Sequence, residues 1–93
     1  MIISFRHKGL HELFENGSTA RLPQIRLEKI DKLIQLLNTA KSLSDVNQPG
    51  LRLHRLKRPP LDGYYSIDVS RNYRLVFRFE DGRVLDLDFM DTH

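Results

Sequence analysis

The sequence predicts an α+β domain: a strand and two helices, then a four-stranded antiparallel run, with the helices packed on one face. Three observations carry this. From Tyr65 to Met90, apolar and polar residues alternate with a period of two across three segments separated by turn residues. Between Leu22 and Ala40, apolar residues recur instead at helical spacing. The length, 93 residues, suits a single domain over 1–93 with one modest core.

Met1–Phe5 is apolar and β-branched, which suits a short strand. His7 to Glu15 carries Leu10, Leu13 and Phe14 on one helical face, and Asn16-Gly17-Ser18 stops that helix. A longer helix is expected over Leu22 to Ala40, with Pro23 in its first turn, where no backbone N–H is needed. Its stripe is Leu27, Ile30, Leu33, Ile34, Leu37 and Ala40, and Glu28 pairs with Lys32 on the polar side. Ser42 to Gly50 reads as a connector closed by Pro49-Gly50. Leu51 then opens a strand with Leu51 and Leu53 on one face and Arg52 and His54 on the other. Leu56 breaks the alternation, so a bulge or the strand's end lies near Arg55. A bulge would bring Lys57 to the side of His54. Arg58 to Gly63 is a rigid loop.

In the last three strands the odd-numbered residues point inward. Directly opposed residues share a face, so odd must meet odd and each hairpin loop has an odd length. Ser70-Arg71-Asn72 and Glu80-Asp81-Gly82 fit, each ending in a residue that accepts a left-handed conformation. This register sets Asp68 opposite Arg74, and Arg74 opposite Asp88.

No apolar run is long enough to span a membrane, and there is no signal-peptide pattern. The absence of cysteine removes disulfides and thiolate chemistry and gives a cytoplasmic address by default. The net charge of +3 is uneven: residues 1–58 carry +6 and residues 59–93 carry −3. A basic half suits an anionic polymer. The densest cationic stretch is Arg52-Leu53-His54-Arg55-Leu56-Lys57-Arg58, where Arg52, Arg55 and Arg58 are candidate phosphate-binding groups.

Several chemistries lack their residues. His7 and His11 share a helix face, but no third ligand is evident, so no metal is expected. No cofactor is expected either: there is no glycine-rich phosphate loop and no Gly-x-Ser-x-Gly elbow. What remains is a kit for metal-free RNA cleavage. His54 can move a proton near neutral pH. Lys57 and Arg74 supply positive charge for a phosphate. Asp91-Thr92-His93 adds a carboxylate and a second imidazole at one strand end. A base takes the proton of the ribose 2′-OH, whose oxygen attacks the neighbouring phosphate. Cations stabilise the added charge, and an acid protonates the leaving 5′-oxygen.

The order and spacing of several short motifs resemble a known family. These are Ile2-Ile3-Ser4-Phe5-Arg6-His7-Lys8-Gly9-Leu10 followed by Leu13-Phe14-Glu15, then Arg52 to Lys57, Gly63 to Ile67, Asn72-Tyr73-Arg74, and the final Asp-x-His. Together they look like a HigB-type toxin of the RelE/ParE toxin–antitoxin superfamily, over the whole length. The resemblance implies a RelE-like (microbial-RNase-like) fold of order β-α-α-β-β-β-β. It implies a ribosome-dependent endoribonuclease that cuts mRNA and so blocks translation. Its partners would be the ribosome, mRNA and a helix-turn-helix, HigA-like antitoxin, with the toxin monomeric when free and oligomeric with the antitoxin. His54, Lys57, Arg74, Asp91 and His93 match positions implicated in cleavage, and Asn72 matches one near the substrate. Several members carry tyrosine where this chain has Thr92, which cannot stack on a base. Tyr64, on the outward face, is the substitute candidate for stacking. Two alternatives belong to other classes: a non-enzymatic, ParE-like gyrase inhibitor, and a basic RNA-binding module without activity.

Overall fold

Local chemistry decides where the helices begin and end in the structure, a computed structural model that describes residues 1–92. The first helix, α1 (Lys8–Asn16), starts at His7, whose Nδ1 accepts the Leu10 N–H at 3.3 Å. It closes at Gly17, which takes a left-handed φ of 71° and returns its N–H to Leu13. Gly9 has no room for a side chain: a Cβ there would lie 2.9 Å from both Arg21 Cβ and His7 Cε1.

The second helix begins at Leu27, the first residue of its apolar stripe, and not at the expected Leu22. Pro23 is extended (φ −60°, ψ 121°) and stands just outside a 3₁₀ turn over Gln24–Arg26, which leads into α2 (Leu27–Thr39). Ile30, Leu33, Ile34, Leu37 and Ala40 are buried as expected, and Lys32 reaches Glu28 at 3.6 Å. The connector holds an unforeseen short helix, α3 (Leu43–Val46). Asp45 accepts the N–H groups of Lys41 and Ser42 at 2.9 and 3.2 Å, as in a capping box, and Val46 is carried into the core.

The sheet is antiparallel in the order β1 (His54–Arg55), β2 (Tyr65–Asp68), β3 (Tyr73–Glu80), β4 (Arg83–Asp91). The amino-terminal residues run parallel to β4 at its free edge, bridging Ile2 to Val84 and Phe5 to Leu87. They form separate bridges, not the continuous strand expected over Met1–Phe5, because β4 bulges between the two contacts. Asp86 sits at the irregularity with φ 54°, and Ser4 Oγ accepts its N–H at 2.8 Å in place of a backbone carbonyl.

The β2–β3 register agrees with expectation: Asp68 faces Arg74 across the three-residue loop. The β3–β4 register does not. Glu80 pairs with Arg83, so the loop is the two residues Asp81-Gly82, with φ of 51° and 77°. Asp-Gly suits this doubly left-handed turn. The bulge then supplies the residue that parity demanded of the loop. As a result Val84, not Leu85, is fully buried, and Leu87 returns to the inward phase. Arg74 lies opposite Met90, and Asp88 opposite Val76, correcting the expected Arg74–Asp88 pair.

The core joins Leu10, Ile30, Ile34 and Leu37 of the helices to Ile67, Leu75, Phe77 and Leu87 of the sheet. Ser66 and Val76, expected to face outward, are also buried. No helix among the described residues is long and apolar enough to cross a membrane.

The bulge also anchors a polar network. Arg78 Nε donates to Asp86 Oδ2 at 2.9 Å and its Nη1 to Glu80 at 2.8 Å; the hydroxyls of Tyr64 and Ser4 donate to Asp86 at 3.2 and 3.3 Å. Partial burial pushes the Asp86 carboxyl up, but the hydrogen bond and charge of Arg78, helped by Tyr64 and Ser4, outweigh it and hold Asp86 below its ordinary 3.8. A carboxylate lowered in the folded state stabilises above its unfolded value, and that contribution is lost as pH falls through the folded value. Asp86→Asn should therefore cost about 1 kcal/mol at pH 7, a figure reduced because both partners are about a third exposed. The gap between wild type and variant should close below about pH 4 in urea titrations followed by circular dichroism.

Candidate active site

The strand carrying the basic stretch is shorter than its pattern. Leu51 and Leu53 turn toward the core as expected, but Arg52 is left-handed (φ 53°) and leaves only His54 and Arg55 in β1. The strand ends at Arg55, although backbone pairing extends one bond further, Leu56 N–H to the Tyr64 carbonyl at 2.8 Å. A left-handed conformation at a non-glycine residue costs on the order of 1 kcal/mol and is notable beside polar groups with no structural duty. Here the Arg52 carbonyl lies 2.9 Å from His54 Nδ1. A carbonyl only accepts, so Nδ1 carries the proton and neutral His54 presents the lone pair of Nε2. The ring is exposed.

Strand pairing places His54 in a row with Ser66, Val76 and Asp88, on the face away from the helices. The next row on that face is Asp68, Arg74 and Met90. On ideal sheet spacing, the Cα atoms of His54 and Arg74 are roughly 12 Å apart. Two long side chains can span that gap and meet at one phosphate. Asp68 lies between two of the cations: its Oδ1 is 3.8 Å from Arg74 Nε and its Oδ2 is 3.7 Å from Arg52 Nε. Two guanidinium groups thus converge on one carboxylate. Ser66, directly beside His54, is fully buried, and its hydroxyl has no partner among the described residues.

Beyond β1 the chain forms two open concavities. One, of about 450 Å³, is lined by His54 to Leu61 and includes Lys57 and Arg58. The other, of about 390 Å³, shares Arg55, Leu56 and Lys57 and adds Asp62 and Gly63. Arg55 extends over Gly63, with Nη2 3.8 Å from where a Cβ would stand.

At the far end of the sheet, the Asn72 carbonyl accepts both the N–H and the hydroxyl of Thr92, at 2.7 and 3.0 Å. This holds the last described residue against the β2–β3 loop. Asp91 pairs with Tyr73, and alternation after the bulge gives it the phase of Phe89, opposite to that of His54. His93 lies outside the described residues. Tyr64 is half-buried, with its hydroxyl committed to Asp86. The structure therefore gathers Arg52, His54 and Arg74 on one face, with Arg55 following His54 in β1 and Lys57 and Arg58 on the adjoining loop. Asp91 stands at the sheet's end in the other phase. The helical histidines have separate tasks: His7 caps α1 and meets the Phe89 ring edge-on, while His11 stacks on Phe5 at 5.0 Å.

Sequence reasoning did not foresee the Ser4–Tyr64–Arg78–Asp86 network or the apolar lining of the first concavity. The first had a signal, since Arg78 and Asp86 are charged residues within half-buried strands. The second came from Pro59-Pro60-Leu61, which reads only as a stiff loop.

The sequence and the fold are similar to those of known proteins. A family model described as RelE-like toxin of type II toxin–antitoxin system HigB matches residues 3–93. Over 93 residues, covering 100% of both chains, the sequence is 39% identical to a Proteus vulgaris protein named Endoribonuclease HigB. It is 32% identical to Toxin HigB-1 of Vibrio cholerae serotype O1, covering 100% of this chain and 98% of the relative. The crystal structure of YafQ from E. coli strain BL21(DE3) superposes with a TM-score of 0.56 at 13% identity, over 98% of this chain and 91% of that one. At that identity the likeness concerns the fold alone, and it agrees with the expected α+β class.

Proposed function

The chain belongs to the HigB-like family of RelE-like toxins of type II toxin–antitoxin systems, and on that premise we propose that it is a ribosome-dependent endoribonuclease that cuts mRNA without a metal ion. The observation that carries the reading is the 2.9 Å contact between His54 Nδ1 and the Arg52 carbonyl, which selects the Nδ1–H tautomer. With Nδ1 held by the Arg52 carbonyl, Nε2 is an exposed acceptor on the face that also bears Arg74. It takes the proton of a ribose 2′-OH, and the freed oxygen attacks the adjacent phosphorus. Arg74 and Lys57 stabilise the added negative charge of the transition state. His93, with Asp91, serves as the acid that protonates the leaving 5′-oxygen. The products are a 2′,3′-cyclic phosphate and a 5′-hydroxyl.

Arg52, Arg55 and Arg58 grip phosphates of mRNA or ribosomal RNA. Asn72 lies near the substrate, and the Tyr64 ring is the surface for base stacking, its hydroxyl tied down by Asp86. A type II toxin has a cognate antitoxin, and a helix-turn-helix protein is the partner proposed here, acting on a toxin that is monomeric when free. The cytoplasm is the compartment where ribosomes are met.

The test is cleavage of a defined mRNA by purified protein, with and without programmed ribosomes, read by mapping 5′ ends. Discrete cuts that require ribosomes are expected. Uncut mRNA together with gyrase-dependent DNA breaks in expressing cells would overturn the proposal.

A further inference from the structure

The concavity beside His54 adds apolar surface, which the cleavage reaction does not by itself require, to positive charge. Its apolar lining comes from Leu56, Pro59, Pro60 and Leu61. Its cationic lining comes from Arg55, Lys57 and Arg58, and none of these three is held in an ion pair with a described residue. Elsewhere the cations near the site are engaged: Arg52 and Arg74 with Asp68, and Arg78 with Asp86 and Glu80. Free cations bordering an apolar hollow suit a ligand with a flat apolar body and anionic neighbours.

The hollow is also pre-formed. Leu56 and Tyr64 are joined at 2.8 Å, Gly63 N–H reaches the Leu56 carbonyl at 2.9 Å, and Leu61 N–H reaches the Arg58 carbonyl at 3.0 Å. Tyr64 N–H returns to the Leu61 carbonyl at 3.0 Å, so the segment from 56 to 64 is braced by its own backbone. A braced loop loses little freedom when a ligand enters. The volume, about 450 Å³, falls within the range of small-ligand sites.

We propose that this hollow is a nucleobase subsite: it receives one unstacked base of single-stranded RNA while Arg55, Lys57 and Arg58 hold the phosphates on either side. The inference rests on the endoribonuclease reading and adds the place where a nucleotide next to the cut is held. Charge complementarity selects the occupant, because the lining has three cations and no carboxylate. The side chains around it, His54 apart, offer apolar surface and positive charge with no side-chain acceptor, so they read the size of a base more than its hydrogen-bonding edge. An apolar pocket discriminates by size only about 10–200-fold. A preference between purine and pyrimidine is therefore expected at that nucleotide, without strict identity.

The test compares adenosine 5′-monophosphate with ribose 5-phosphate, titrated into the intact protein and followed by amide chemical shifts. Both probes carry the phosphate and only one carries a base. The mononucleotide should bind at least about tenfold more tightly and move the Leu56 and Leu61 amides, whereas ribose 5-phosphate should move only those of Arg55, Lys57 and Arg58. Leu61→Trp, which fills the hollow, should weaken the mononucleotide by about tenfold and leave ribose 5-phosphate unchanged. Equal binding of the two probes to the wild type overturns the proposal without recourse to any variant. So does a Leu61→Trp protein that binds the mononucleotide normally but loses its antitoxin, which would make the hollow a protein-docking site. Failure of the ribosome assay above would remove the nuclease reading, whereas failure of this titration with cleavage intact would remove the subsite alone.

Discussion

His54→Ala should reduce ribosome-dependent cleavage by about 10²–10⁴-fold, the usual loss when a positioned proton acceptor is removed. The reasoning is local. His54 is exposed, on a strand of two residues, and among the described residues its ring bonds to the Arg52 carbonyl. The backbone pairing of β1 with β2 does not depend on the side chain. Stability should therefore change by no more than about 0.5 kcal/mol, as for other exposed positions without a special contact. Single-turnover cleavage on programmed ribosomes, beside a urea unfolding curve, separates the two quantities. Loss of cleavage with unchanged stability supports the proton-acceptor role. Full activity would mean that the 2′-OH is deprotonated elsewhere.

The largest effect on stability is expected from Phe77→Ala. Phe77 is fully buried in the middle of β3, next to the Tyr65 ring at 6.1 Å, and stands where the β3–β4 register shifts at the bulge. Removing a buried phenyl ring costs about 3–5 kcal/mol, through lost transfer energy and the cavity left behind. The backbone here pairs with Tyr65 in β2, and the neighbours Val76 and Arg78 pair with β4, so the site has little freedom to collapse. For a domain of this size that is a large part of a total of about 5–15 kcal/mol, and the thermal midpoint should fall by about 15 °C or more. A loss below about 1 kcal/mol would mean that the ring is not packed as described.

The elements differ in how far residue pattern determines them. The stripe from Ile30 to Ala40 and the inward Ile67, Leu75 and Phe77 follow from periods alone and are realised, whereas the burial of Ser66 and Val76 on the other face does not follow from alternation. Parity misled at the β3–β4 turn because two devices change the phase of a strand: the length of the loop and a bulge. Asp81-Gly82 is a two-residue turn signal, but parity without a bulge requires a three-residue loop to keep odd residues inward. The bulge at Asp86 has no local signature. It becomes intelligible only beside Ser4, 82 residues away in sequence, whose hydroxyl accepts the Asp86 N–H. The short helix α3 was legible in Ser42-Leu43-Ser44-Asp45, where serine is followed three residues later by an acid.

The same distinction holds at the site. The outward face of Arg52, His54 and Arg74, and the Asp68–Arg74 neighbours, follow from alternation and one correct loop. The tautomer of His54 does not, because it depends on the left-handed turn at Arg52, which places a carbonyl beside the ring. Asp91 keeps the inward phase of the odd residues because the bulge restores that phase from Leu87 onward. Thr92, whose side chain looked merely deficient for stacking, anchors the strand end to Asn72 through its hydroxyl.

The account turns on attack by a ribose 2′-oxygen activated at His54, and the chemistry of the cut ends reports on that step directly. After cleavage on ribosomes, the upstream fragment should carry a 2′,3′-cyclic phosphate or its ring-opened product, and the downstream fragment a 5′-hydroxyl that polynucleotide kinase can label without prior phosphatase treatment. An mRNA with a 2′-deoxy substitution at the cut site should resist cleavage there. Downstream fragments bearing a 5′-phosphate, or undiminished cutting at the 2′-deoxy position, would contradict the mechanism.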